Sequence, residues 1–183
     1  MLKISLIKKA KLKKKMYNKT YFLMIANNLH QILILKRSDF PRWELPRINV
    51  NKEQPVHVLM DDYLKKTISI QYRFLGESSI IDRYEWPKEL ANITGKSGEE
   101  HRFLYLILKE RISSEDLISK EFCELKFVNY DELVEKVIFR NHKIILRNVI
   151  NEFYKKLHKM KEEEKESVKE NHEDYLEGID KIL

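Results

Sequence analysis

The segment Trp43–Ile70, WELPRINVNKEQPVHVLMDDYLKKTISI, decides how the rest of the chain is read. Its first residues suggest a strand end and a loop, and the remainder predicts one amphipathic helix over 54–67. Pro55 suits the first helical turn, where a missing N–H costs nothing. Val56, Leu59, Met60, Tyr63 and Leu64 recur at the three/four spacing that paints one apolar face. Lys65 and Lys66 fall in the last turn, where the helix dipole favours cations.

Upstream, Thr20–Ala26 and Gln31–Lys36 predict two strands, with Asn27-Asn28 as a hairpin turn. Arg37–Arg42 reads as a loop leading to Trp43. Downstream, Ile68–Phe74 and Ser79–Tyr84 predict further strands, and Pro87 opens a short helical turn through Leu90. A polar, Gly-containing loop over Asn92–Glu100 follows. His101–Lys109, HRFLYLILK, carries the strongest strand pattern in the chain. Ile112–Lys120 is a polar connection, Glu121–Val128 a strand and Tyr130–Val137 a short helix. From Asn141 to Met160, Ile145, Leu146, Val149, Ile150, Phe153, Tyr154 and Leu157 make a continuous apolar stripe. Strands alternating with two long helices predict an α/β (α+β) class, a mixed sheet between helical layers.

Composition bounds the function. At 183 residues, 43% hydrophobic and 10% aromatic, the chain suits one domain with extensions and excludes wholesale disorder. A single cysteine, Cys123, cannot form an intrachain disulfide and fits a reducing compartment, so a cytoplasmic location is expected. Its place within a strand pattern predicts a packed thiol rather than a nucleophile. No run approaches the ~18 apolar residues of a membrane span. The net charge of +6 is uneven. Residues 1–15 hold seven lysines and no acid, whereas residues 159–183 hold five lysines against nine acids. Two readings stay open for the lysine-rich start: an arm on nucleic-acid phosphates, or a solvated terminus. The tail, KEEEKESVKENHED followed by Tyr175, Leu176, Ile179, Ile182 and Leu183, offers a weak apolar face to the domain or to a protein partner. The expected division is an arm over 1–16, a domain over 17–158 and a charged tail over 159–183.

The 43–70 segment resembles the box of the Nudix hydrolases. That box is Leu-Pro-Gly-Gly, a Glu six residues later, then Arg-Glu-apolar-X-Glu-Glu-X-Gly-apolar. With Leu45-Pro46 on the family's Leu-Pro, Leu64 and Ile70 fall on its apolar positions. Its ionisable groups are exchanged. Arg47 and Ile48 stand at the glycines, Gln54 at the first Glu, Asp62 at the Arg, and Tyr63 at the next Glu. Lys66 and Thr67 replace the two metal-binding glutamates, and Ser69 the last Gly. The resemblance extends over about 20–157. RYEWPKEL (Arg83–Leu90), with Gly98, Arg102 and Phe103 after it, is similar to RNA pyrophosphohydrolases and dinucleoside polyphosphate hydrolases. So are Glu121-Phe122, Phe127-Val128 and the closing helix.

The resemblance implies a Nudix-type sheet between helices and a nucleotide or RNA 5′ end as partner. In active members box glutamates hold Mg²⁺ or a similar ion, such as Mn²⁺, between the protein and the phosphates. Here an ammonium at Lys66 would repel that ion, and Glu121, at a family carboxylate position, stands almost alone. The residues implied in phosphate or base contact are Arg37, Arg47, Lys66, Trp86, Lys88 and Arg102, with Trp43 or Trp86 able to stack on a base. For Trp43 the competing expectation is core packing. His57 is expected on the surface. Three functions follow: a catalytically impaired binding domain, a hydrolase with a cation site rebuilt from Asp61, Asp62, Glu99, Glu100 or Glu121, and an assembly module.

Overall fold

Within Tyr17–Ala26 (β1), residues Tyr21–Ala26 run apolar without alternation because both faces are covered there. In the computed structural model, residues 15–39, 42–50, 54–67, 71–117, 121–137 and 143–180 are described, with backbone alone at 67, 116 and 164–180. β1 lies parallel to Gly98–Leu108 (β7), from Tyr17 opposite Gly98 to Ala26 opposite Ile107. Ile32–Arg37 (β2) turns back from β1 and pairs on one edge with Trp43–Glu44 (β3). Arg47–Val50 (β4) runs antiparallel to the first half of β1. Tyr72–Glu77 (β5) and Asp82–Glu85 (β6) share the far edge of β7, and Phe122–Val128 (β8) pairs with β2. The result is a mixed sheet, as the sequence predicts.

The odd and even residues of the central strands face two cores. On one side Tyr21, Leu23, Ile25, Leu104 and Leu106 meet Met60 and Leu64 of Val56–Thr67 (α1). On the other, Phe22, Met24, Phe103 and Tyr105 meet Leu146, Val149, Ile150, Phe153 and Leu157 of Lys143–Asp180 (α4). Tyr105 stacks on Phe153 with ring centroids 4.8 Å apart. Its hydroxyl donates to the Val149 carbonyl at 3.1 Å, so this buried aromatic satisfies its polar end. Two further helices, Lys88–Thr94 (α2) and Tyr130–Lys136 (α3), are short. The Asn129 side chain accepts from the Glu132 N–H and caps α3.

Several boundaries differ from the sequence reading. The 87–90 turn is the start of a full helix, which ends where Gly95 takes a left-handed φ of 67°. The loop expected through Glu100 ends early, because β7 begins at Gly98. A Cβ there would sit 1.9 Å from the Tyr84 carbonyl oxygen, so only glycine lets β6 approach so closely. The strand expected over 68–74 is seen from Tyr72 to Glu77, and 68–70 lie outside the described residues. The strand expected over 79–84 is Asp82–Glu85. The strand end expected at Trp43 is β3, whereas β4 lies where the sequence reading has only a loop. The helix α4 passes the 158/159 boundary without a break and continues to Asp180. Cys123 corrects the packing expectation: it lies exposed on β8, which pairs with β2 on one side. Of the arm expected over 1–16, residues 1–14 lie outside the described residues. No helix among the described residues is long and apolar enough to cross a membrane.

Candidate functional site

The box loop is fixed to the sheet before its side chains act. Leu45 and Pro46 are buried, and the Pro46 carbonyl accepts the Leu23 N–H at 2.8 Å. The strands β3 and β4 therefore present Glu44 and Arg47 on either side of a rigid corner. Arg47 Nη2 lies 3.6 Å from Glu44 Oε2. The end of β2 brings in Arg37, whose Nε and Nη2 donate to the two Asp39 oxygens at 2.9 and 3.1 Å. Its Nη1 lies 4.0 Å from Glu121 Oε1, just ahead of β8.

Tyr63 reaches this cluster from α1. Burial pushes its phenol far above the ordinary tyrosine value, and the negative charges of Glu121 and Glu44 add to that. A hydrogen bond with the Arg47 backbone and the Arg47 charge oppose the rise without cancelling it. The hydroxyl thus keeps its proton at neutral pH. Of the residues singled out in the sequence, Arg37, Arg47, Tyr63 and Glu121 come together. Glu44 joins them, and the sequence reading missed it. Its signal was the spacing to Arg47, three residues on across Leu45-Pro46.

The remaining candidates lie elsewhere. Lys66 is exposed on α1 one turn after Tyr63, Gln54 is exposed ahead of the helix, and the Thr67 side chain lies outside the described residues. His57 is exposed, as expected. Trp43 is half-buried against the α4 core, with Lys36 Nζ 5.7 Å and Lys136 Nζ 6.0 Å from its ring centroid. Trp86 and Lys88 stand at the β6–α2 junction, Trp86 half-buried and Lys88 exposed. Arg102, on β7, donates from Nε to Glu100 at 2.8 Å and from Nη1 to Glu77 at 2.8 Å. Those bonds raise its pKa further, with Glu100 the main cause. Arg83 Nε joins the same Glu100 at 2.9 Å.

The donor set does not fit a dinuclear Mg²⁺ or Mn²⁺ centre. Such ions want several hard oxygens free to converge, whereas Glu121 and Glu44 are each set against a guanidinium, with the Tyr63 phenol near both. The other carboxylates named for a rebuilt site are dispersed. Asp61 accepts from the Tyr72 hydroxyl, Glu99 meets His101 Nε2 at 3.0 Å, and Glu100 holds two arginines. Among the described residues, no three His, Cys, Asp or Glu side chains are grouped to hold a cation.

No family model matches the chain. It is 28% identical over 130 residues to an RNA pyrophosphohydrolase of Sulfurovum sp. strain NBC37-1, covering 68% of this chain and 82% of that protein. Among solved structures it is similar to a C. elegans Ap4A hydrolase binary complex at a TM-score of 0.57 and 16% identity, covering 77% of this chain and 98% of that one. A NUDIX hydrolase from Nitrosomonas europaea matches at a TM-score of 0.54 and 12% identity, over 77% of this chain and 74% of that one.

Proposed function

We propose that this chain, a member of the Nudix superfamily, binds a nucleoside polyphosphate or a 5′-phosphorylated RNA end without ordinary metal-dependent hydrolysis. The observation that carries the reading is the cluster at the corner made by the box loop, where Arg37 meets Glu121, Arg47 meets Glu44, and the buried Tyr63 phenol lies near Glu121 and Arg47. A polyphosphate brings several negative charges to one place. Guanidinium forks meet phosphate oxygens in a bidentate way, and a phenol adds a neutral donor. The protein thereby supplies positive charge where active relatives of this type use a cation. The Arg37 side chain is 37% exposed and the Arg47 side chain 45%, so their present carboxylate contacts are worth roughly 0–1 kcal/mol each. Charge-assisted bonds to phosphate, roughly 1.5–3 kcal/mol, outweigh them. Lys66, one turn on, adds to the field that attracts the anion and repels Mg²⁺.

Titration calorimetry with GTP, Ap4A and a 5′-triphosphate RNA tests this, with and without Mg²⁺. The expected result is binding that needs no Mg²⁺, weakened about tenfold by Arg37→Ala or Arg47→Ala, and no phosphate release at high protein concentration. Absence of binding removes the reading. Turnover in Mg²⁺ or Mn²⁺ that Glu121→Gln abolishes replaces it with a hydrolase built on Glu44 and Glu121.

A further inference from the structure

At the end of the sheet where β1 and β7 begin and β6 finishes, α2 joins β6 to β7 and buries none of its residues. Leu90 and Ile93 are three apart, so they are neighbours on its surface. Both are exposed, Ile93 to 82%, although a helix of a folded domain ordinarily turns such residues to the core. Met16, 56% exposed, and Tyr84, also exposed, add apolar surface at the same end. Backbone bonds tie these parts together. The Ser97 N–H donates to the Met16 carbonyl at 2.6 Å, and the Trp86 N–H to the Ser97 carbonyl at 3.0 Å. The start of β1 and the entry to α2 are thus one strand apart.

Residues 1–15 lead into β1 and so join the fold at this end. Lys15 Nζ donates to Glu85 Oε1, and the Tyr17 hydroxyl donates to the same oxygen at 3.3 Å. The stretch, MLKISLIKKAKLKKK, is more than basic. It interleaves seven lysines with Leu2, Ile4, Leu6, Ile7 and Leu12, and holds no acid, arginine or aromatic residue. Base contact on single-stranded RNA calls for aromatic rings or guanidinium planes. A lipid interface instead takes lysines at its headgroups and aliphatic side chains at its acyl boundary.

We propose that this end of the molecule docks on an anionic lipid surface, lying on the membrane rather than crossing it. Leu90 and Ile93 enter the acyl boundary, and the lysines meet the headgroup phosphates. Each element is weak alone. Two aliphatic side chains bury little area, and attraction between lysines and headgroups fades within a Debye length. Joined at one end of one domain, they supply the two signals that stable peripheral binding needs. Lys88 and Lys96 flank α2 and add to the attraction, against Glu89 as the one acid within the helix. The inference is independent of the nucleotide reading, since it uses neither Arg37 nor Arg47.

Sedimentation of the full chain with extruded vesicles tests this. Binding is expected to phosphatidylcholine vesicles that contain about one-third phosphatidylglycerol, and should fall at least about tenfold between ~0.1 and ~0.5 M salt. Vesicles of phosphatidylcholine alone should leave the protein in solution. Ile93→Glu and Leu90→Ser should each weaken binding to the anionic vesicles, Ile93→Glu by about tenfold, with the melting temperature unchanged because both positions are exposed. Removing residues 1–14, which hold six of the lysines, should weaken it at least about a hundredfold. A chain that stays in the supernatant with the anionic vesicles overturns the inference. Binding that neither Ile93→Glu nor Leu90→Ser weakens overturns it as well, because the contact is then made by charge alone. If the chain binds oligouridylate through residues 1–14 at the same salt and sediments with no vesicle, the arm belongs to RNA and the lipid surface is excluded.

Discussion

Both ring nitrogens of His101 face carboxylates, Nδ1 toward Asp82 at 3.1 Å and Nε2 toward Glu99 at 3.0 Å. The ring also receives Phe22 edge-on at 5.3 Å. Asp82 is 4% exposed, so removing the ring leaves a buried charge without this partner. His101→Leu is therefore expected to cost roughly 3 kcal/mol, a fall in melting temperature of roughly 6–12 °C by calorimetry. Glu100 acts differently. Burial pushes its carboxyl up, but the hydrogen bonds and charges of Arg102 and Arg83 outweigh that and hold it below the usual range. A carboxyl that titrates lower when folded adds stability above the unfolded value, near pH 4.5, and loses it as pH falls through the folded one. Urea unfolding between pH 6 and 3 should show Glu100→Gln less stable at pH 6 but less sensitive to acid. The sequence offered little access to such residues. Glu100 and Arg83, or Lys36 and Glu124, lie far apart in the chain and meet because strands pair, and nothing local announces it.

The long elements were the legible ones, for a physical reason. α1 and α4 each bury one stripe, so periodicity marks them, and β1 and β7 are covered on both faces, so they read as apolar runs. Short elements carry no such record. β3 has two residues and β4 four, too few for an alternation to stand out, yet they hold Glu44 and Arg47 in place. α2 buries none of its residues, so its length had no apolar stripe to reveal it. The candidate residues are only partly brought together: Arg37, Arg47 and Glu121, named from box and strand positions, lie in one cluster, whereas Arg102 is engaged by Glu77 and Glu100. The energetic weight of α4 is testable at Phe153, which is fully buried against Tyr105. Phe153→Ala is expected to destabilise the protein by roughly 3–5 kcal/mol in denaturant titration, while nucleotide affinity measured below the transition changes little.

At the scale of the whole chain, charge is segregated, with +7 over residues 1–15, ahead of β1. If those lysines touch RNA phosphates, their contribution is counterion release and hence salt dependence. Deleting residues 1–14 should flatten the slope of log affinity against log salt for a 5′-triphosphate RNA, by roughly 0.7 for every phosphate that the arm neutralises. On the proposed reading, in which Arg37 and Arg47 hold a mononucleotide, its affinity should stay as it was. An unchanged slope on RNA removes that contact.

The parallel pairing of β1 with β7 also governs how the molecule comes into being. Partners in the middle of the sheet are about eighty residues apart, which at roughly 5–20 residues per second keeps the first strand waiting on the order of 4–16 s during synthesis. Throughout that interval the YFLMIA stretch has been made while its central neighbour does not yet exist. Newborn copies are thus natural clients for a holding chaperone, and rapid overproduction should send this protein into inclusion bodies that slower translation at low temperature avoids.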